Sequence, residues 1–180
     1  MNSRSNHLVE RAQRGSREAL GALYTDHHQK IYRYLYYRTG DPQTAEDLTA
    51  DVFLKMVRAI PGYQAGAIPF QAWLYQIARN IAIDHHRHNA AHPLETIQEN
   101  LRTSEKVEET LDRRLTRNAL SRALSELEEL QRDVLVLRFI EGMPILEVAQ
   151  TLHKSEDAVK ALQRRGLIAL RGKINLPENP

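Results

Sequence analysis

Three groups of residues in this 180-residue sequence have types and spacings that could do chemistry. Arg79, Asn80 and Arg87 lie within PFQAWLYQIARNIAIDHHRHN, residues 69–89. Guanidinium and amide donors of this kind meet phosphates and base edges. Lys160, Gln163, Arg164 and Arg171 recur at helical steps in a second stretch, SEDAVKALQRRGLIALR. His85, His88 and His92, with Asp84 adjacent, are spaced so that a continuous helix could turn two or three ligands to one side. Pro93 interrupts that helix, so the expectation is a polar end lying near phosphates, with no metal and no cofactor. The chain has no phosphate loop, no nucleophile elbow and no HExxH. Its carboxylates are dispersed, with no acid/base pair, so no enzymatic activity is expected.

Helices must position these groups. Phe70, Trp73, Leu74, Ile77 and Ile81 recur at three- and four-residue steps and put Arg79, Asn80 and Arg87 off their stripe. The helix reads equally as a core element with a wet face. Before it, Ser16 is an N-cap for a helix over about 17–38. Gly40-Asp41-Pro42 closes one helix and opens another over about 42–59, whose buried stripe is Ala45, Leu48, Val52, Met56 and Ala59. A loop follows, ended by Pro69. Residues 89–112 are polar and acidic and read as a linker. Beyond them, helices are expected over 115–127, 129–140, 144–152 and 155–171. The last two, joined by His153-Lys154, form a helix-turn-helix pattern, with Ser155 as N-cap and Glu156 and Asp157 suited to the helix dipole.

Bulk properties limit the alternatives. Formal net charge is only +2, but residues 152–173 hold 6 basic against 2 acidic side chains, a local footprint suited to phosphates. With no cysteine there is neither a disulfide scaffold nor a thiolate metal site, which fits a cytoplasmic protein. No signal peptide and no membrane span are expected. The fold class expected is all-α: two small helical domains, 1–91 and 115–180, joined by a flexible linker, 92–114.

In order along the chain, three stretches resemble the extracytoplasmic-function (ECF) group of bacterial RNA polymerase sigma factors, within the sigma-70 family. ALGALYTDHHQKIYRYLYYRTGDPQTAEDLTADVFLKMVRAI and PFQAWLYQIARNIAIDHHRH are similar to sigma region 2. LSELEELQRDVLVLRFIEGMPILEVAQTLHKSEDAVKALQRRGLIAL is similar to region 4. The resemblance implies a promoter-specificity subunit. Region 2 would hold the clamp of the polymerase largest subunit and open the −10 element; region 4 would read the −35 element and touch the flap. It also implies polymerase-facing positions Asp47, Ala50, Asp51, Phe53 and Val57. Contacts to −10 DNA would come from Tyr63, Arg79, Asn80 and Arg87, and −35 contacts from Ser155, Glu156, Lys160, Gln163 and Arg164. Tyr63 could stack on a flipped base or pack its own loop. An anti-sigma factor is a further expected partner. The rival reading is a stand-alone helix-turn-helix regulator with an N-terminal interaction domain.

The chain departs from the family pattern at four places. Pro144 replaces a capping Ser or Thr, His153 a turn glycine, and Glu128 a proline, while Gly166 weakens the last helix by up to ~1 kcal/mol relative to Ala.

Overall fold

The structure, a computed structural model, describes residues 2–91 and 111–173, with side chains described over 5–90 and 115–173. The expected linker falls largely outside these residues. Four α-helices form the first part: α1 (Asn2–Gln13), α2 (Arg17–Thr39), α3 (Pro42–Ala59) and α4 (Phe70–Ala91). Four more form the second: α5 (Leu111–Ser125), α6 (Glu129–Leu135), α7 (Ile145–Leu152) and α8 (Glu156–Arg171). Among the described residues there are no strands, only an isolated bridge between Ala65 and Ile68.

The helix ends follow local chemistry. Ser16 accepts from the Ala19 amide at 3.2 Å and starts α2. Gly40, at φ 73°, ends it by returning its amide to the Tyr36 carbonyl. Asp41 then accepts from the Thr44 amide at 2.7 Å, with Pro42 in the first turn of α3. Val9, Leu23, Ile31, Leu35, Val52, Met56 and Leu74 fill the space between α1, α2, α3 and α4. In the second part, Leu124, Val134, Leu137, Val148, Val159 and Leu162 are buried together.

Between α7 and α8 the turn residue His153 takes the left-handed conformation, φ 52° and ψ 46°, that a glycine would adopt without steric cost. Gly166 has a packing reason to be glycine. A Cβ there would stand 3.2 Å from Leu135 Cδ1 and 3.3 Å from Gln131 Cβ, so its absence lets α8 lie close on α6.

The helix expected over 129–140 changes pitch. After Leu135 it continues as a π-helical turn, Val136–Ile140, in which the Glu141 amide reaches back to the Val136 carbonyl. Asp133 and Glu141 are eight residues apart, about 80° out of register on an unbroken α-helix. The wider turn brings both carboxylates to the side that faces α2 and α4. There the two halves of the chain pack on each other, and their buried apolar residues form one continuous cluster.

Candidate nucleic-acid interface

Three surfaces carry the residues singled out above. The first lies on α2 and α3. Asp47, Ala50, Asp51 and Val57 are exposed, while the Phe53 ring is 6% exposed. Tyr24, His28, Glu46 and Leu54 join Ala50, Phe53 and Val57 around a shallow apolar cleft. Tyr24 and Leu54 are 45% and 57% exposed, unusual for side chains of their size. The sequence pattern passed over both because neither stands on the buried stripe; their signal is that they break the rule that off-stripe positions are polar. Asp47 and Asp51 are not among the residues that line this cleft.

The second surface comprises the 60–68 loop and the outer side of α4. Tyr63 is 7% exposed. Its ring packs against Phe70 and Trp73, with centroids 5.7 and 5.0 Å away, and its hydroxyl donates to the Ile68 carbonyl at 2.7 Å. Burial pushes its phenol pKa above the ordinary value. Gln13 pins the loop from below by donating to the carbonyls of Ile60 and Tyr63 at 3.1 and 2.6 Å. Trp73 is half-buried against the same cluster. Asn80 and Arg87 are exposed further along α4.

Arg79 is placed differently. Its guanidinium lies against α6, with Nε 3.0 Å from Asp133 Oδ2 and Nη2 3.5 Å from Glu129 Oε1, and its side chain is 20% exposed. Arg38 reaches the same acids, at 2.6 Å to Asp133 and 3.1 Å to Glu129. Burial favours the neutral form of Glu129, but the hydrogen bond from Arg38 and the charges of Arg38 and Arg79 outweigh it, and the carboxyl pKa is lowered. Tyr34 donates to Asp133 at 3.0 Å; burial first, then that carboxylate, raises its phenol pKa well above the ordinary value.

The third surface is α8. The Ser155 hydroxyl accepts from the Ala158 amide at 3.2 Å and so caps the helix. Glu156, Lys160 and Arg164 are exposed. Lys160 leans on Asp157 at 3.1 Å, a surface pair of little energetic weight. Gln163 is half-buried, and its side-chain carbonyl accepts from Arg138 Nε at 3.3 Å. The histidine-rich end of α4 has His85 beside the Asn89 amide at 3.3 Å. Among the described residues no three His, Asp or Glu side chains are grouped to hold a metal, and His92 lies outside them.

Two helical units, the second ending in a helix-turn-helix whose last helix exposes basic side chains, are the fold of an all-α DNA-binding class of protein. The family models agree: residues 23–92 match Sigma-70 region 2, and residues 117–170 match Sigma-70, region 4. The chain is 37% identical over 171 residues to the ECF RNA polymerase sigma factor BldN of Streptomyces coelicolor; the match covers 93% of this chain and 65% of that relative. It is 30% identical over 171 residues to the ECF RNA polymerase sigma factor SigX of Bacillus subtilis, covering 88% of this chain and 85% of that one. Among solved structures, CnrH in complex with the cytosolic domain of CnrY is similar at 25% identity and a TM-score of 0.73, over 92% of this chain and 93% of that one. The chain therefore belongs to the ECF group of the sigma-70 family and is a promoter-recognising sigma factor of RNA polymerase. Among the described residues no helix is long and apolar enough to cross a membrane.

Proposed function

We propose that this sigma factor divides its work among the three surfaces. The cleft on α2 and α3 receives the clamp of the polymerase largest subunit. Asp47, Ala50, Asp51, Phe53 and Val57 contribute, and Tyr24 and Leu54 supply much of the apolar area. The 60–68 loop and α4 take the −10 element, with Asn80, Arg87 and Arg79 as donors. Stacking a flipped base on Tyr63 would require its bond to Ile68 to break and would return about 1–3 kcal/mol. Helix α8 enters the major groove of the −35 element, where Lys160 and Arg164 meet phosphates or guanine edges and Gln163 presents an amide. Ser155 and Glu156 stand at its N-terminus, the end that reaches base edges. Region 4 also meets the flap, and an anti-sigma factor is a further expected partner; the similar CnrH is held in its solved structure in complex with the cytosolic domain of CnrY. The protein brings binding and strand separation, while the polymerase supplies the chemistry.

The observation that carries this reading is the exposure of Lys160 and Arg164 on the outer side of a capped α8, in the region that matches sigma region 4. Run-off transcription with core polymerase tests it. The parent chain should start transcripts at promoters selected by sequencing transcript 5′ ends. Replacing both Lys160 and Arg164 with Ala should cut initiation by about tenfold or more, since each lost base or phosphate contact costs roughly 1–3 kcal/mol. Val57→Glu combined with Leu54→Glu should abolish co-elution with core polymerase while leaving the thermal midpoint near the parent's. Failure of the parent to start transcripts at any selected promoter would sink the reading.

A further inference from the structure

Gln13 is the last residue of α1, and α1 precedes the stretch that matches region 2, which begins at residue 23. Its side-chain nitrogen donates to two carbonyls of the 60–68 loop, Ile60 at 3.1 Å and Tyr63 at 2.6 Å, across 47 and 50 residues of sequence. Both partners only accept, so the side-chain amide of Gln13 must face them with its NH2 group. The helix behind it is fixed. Val9 and Ala12 are buried, and the Gly15 amide returns to the Ala12 carbonyl at 2.9 Å where the chain turns toward α2.

The grip on Tyr63 sets the direction of the next backbone donor. In a trans peptide the N–H points opposite to the C=O, so a Tyr63 carbonyl held toward α1 turns the Gln64 N–H away from it. Among the described residues that N–H has no backbone acceptor. The Tyr63 hydroxyl ties the other root of the loop, donating to the Ile68 carbonyl at 2.7 Å, and the Ala67 amide returns to the Gln64 carbonyl at 3.3 Å. Between these ties Gln64, Ala65, Gly66 and Ala67 are exposed. Three of the four carry no more than a methyl group, which leaves the backbone open to close approach. Backbone N–H groups are among the donors that hold phosphates, and an extruded base is read through hydrogen bonds to its edge.

We propose that Gln13 is a positioning residue for −10 recognition: by holding the Ile60 and Tyr63 carbonyls toward α1, it aims the Gln64 N–H at the unpaired −10 strand. The proposal rests on the −10 role of the 60–68 loop proposed above, and it extends that machinery to a helix ahead of the matched region. What counts is the donor of Gln13, not its bulk. Without the donor, the Tyr63–Gln64 peptide loses the contact that fixes its plane, and the Gln64 N–H loses its aim.

Holoenzyme assembled from core polymerase and the full chain tests this with two labelled single-stranded oligonucleotides. One carries the nontemplate −10 sequence of a promoter found by sequencing transcript 5′ ends, and the other is its scrambled version. Fluorescence anisotropy should show the parent preferring the first. Gln13→Met keeps the length and loses the donor, and it should bind the −10 strand about tenfold more weakly. Its binding to a −35 duplex and its co-elution with core polymerase should match the parent's. Gln13→Lys supplies donors again and should return to within about threefold of the parent. A selective parent joined by an equally selective Gln13→Met overturns the proposal alone. So does Gln13→Lys that binds no better than Gln13→Met, since the donor would then be irrelevant. Loss of the −35 duplex or of core polymerase together with the −10 strand in Gln13→Met also overturns it, because Gln13 would then only support the fold. A parent that binds both oligonucleotides equally defeats the −10 reading of the loop and the proposal with it.

Discussion

His27 lies on the buried side of α2, 7% exposed, with its ring edge-on to Phe70 at 5.4 Å. Burial first, then the charge of Lys30, lowers its pKa from 6.5 to about 4, while Asp26 opposes them weakly. The unfolded chain therefore takes up the proton first as the pH falls. Stability from this residue is complete above about pH 6.5 and is lost as the pH approaches about 4, by on the order of 3 kcal/mol. Urea unfolding at pH 7 and pH 4.5 should show that loss in the parent. His27→Leu should remove most of it, and an unchanged pH dependence in the variant would place the sensitivity elsewhere. At this scale the sequence was legible wherever the partner was a near neighbour. Ser16, Asp41 and Ser155 are read as caps because each meets an amide three residues on. The partner of Arg79 lies 54 residues away and that of Arg38 lies 95 away, and no local spacing announces either. Tyr63 likewise offered two readings from its type alone; its bond to Ile68 and its two ring neighbours describe a residue that holds the loop in shape.

Helix α8 illustrates how an element can accept a poor intrinsic residue for the sake of its neighbour. Glycine at 166 costs the helix up to ~1 kcal/mol, yet a methyl group there would press within 3.2 Å of the buried Leu135 side chain. Overpacking of this kind costs about 1–3 kcal/mol, so Gly166→Ala should destabilise the chain by about 1 kcal/mol in spite of its better helix propensity. A denaturant midpoint equal to or above the parent's would mean that α8 can slide off α6 at no cost. The apolar periods and the Gly-Asp-Pro break marked the helices to within a turn, because those signals are local. They did not mark the π-helical turn after Leu135. That turn coincides with the contacts of Asp133 and Glu141 to α2 and α4, partners that no local sequence signal announces.

At the level of the whole chain, the order and family of the two domains could be read from motifs, but their mutual placement could not. Each domain has its own apolar stripes, which mark its helices but not the face on which the other domain settles. The polar contacts of the seam are made by charges and amides that look like an ordinary solvated surface in sequence. Its energetic effect should be cooperativity. Because the buried residues of both halves form one cluster, calorimetry of the parent should show a single unfolding transition. Asp133→Asn with Glu141→Gln should split it into two, each domain melting about its own core. A single sharp transition in the double variant would show that the apolar contacts alone couple the halves.

The pairing of Arg79 with Asp133 also limits how this protein can be recombined. Sigma factors are modular enough to invite chimeras, in which a foreign region 4 brings a new promoter preference to an existing region 2. A donor module without an acid at the position of Asp133 would leave Arg38, now 4% exposed, facing an apolar or neutral wall. Such a hybrid would leave a buried guanidinium without its carboxylate at the seam and should lose stability for that reason. It should reveal itself as a thermal midpoint below that of the parent chain.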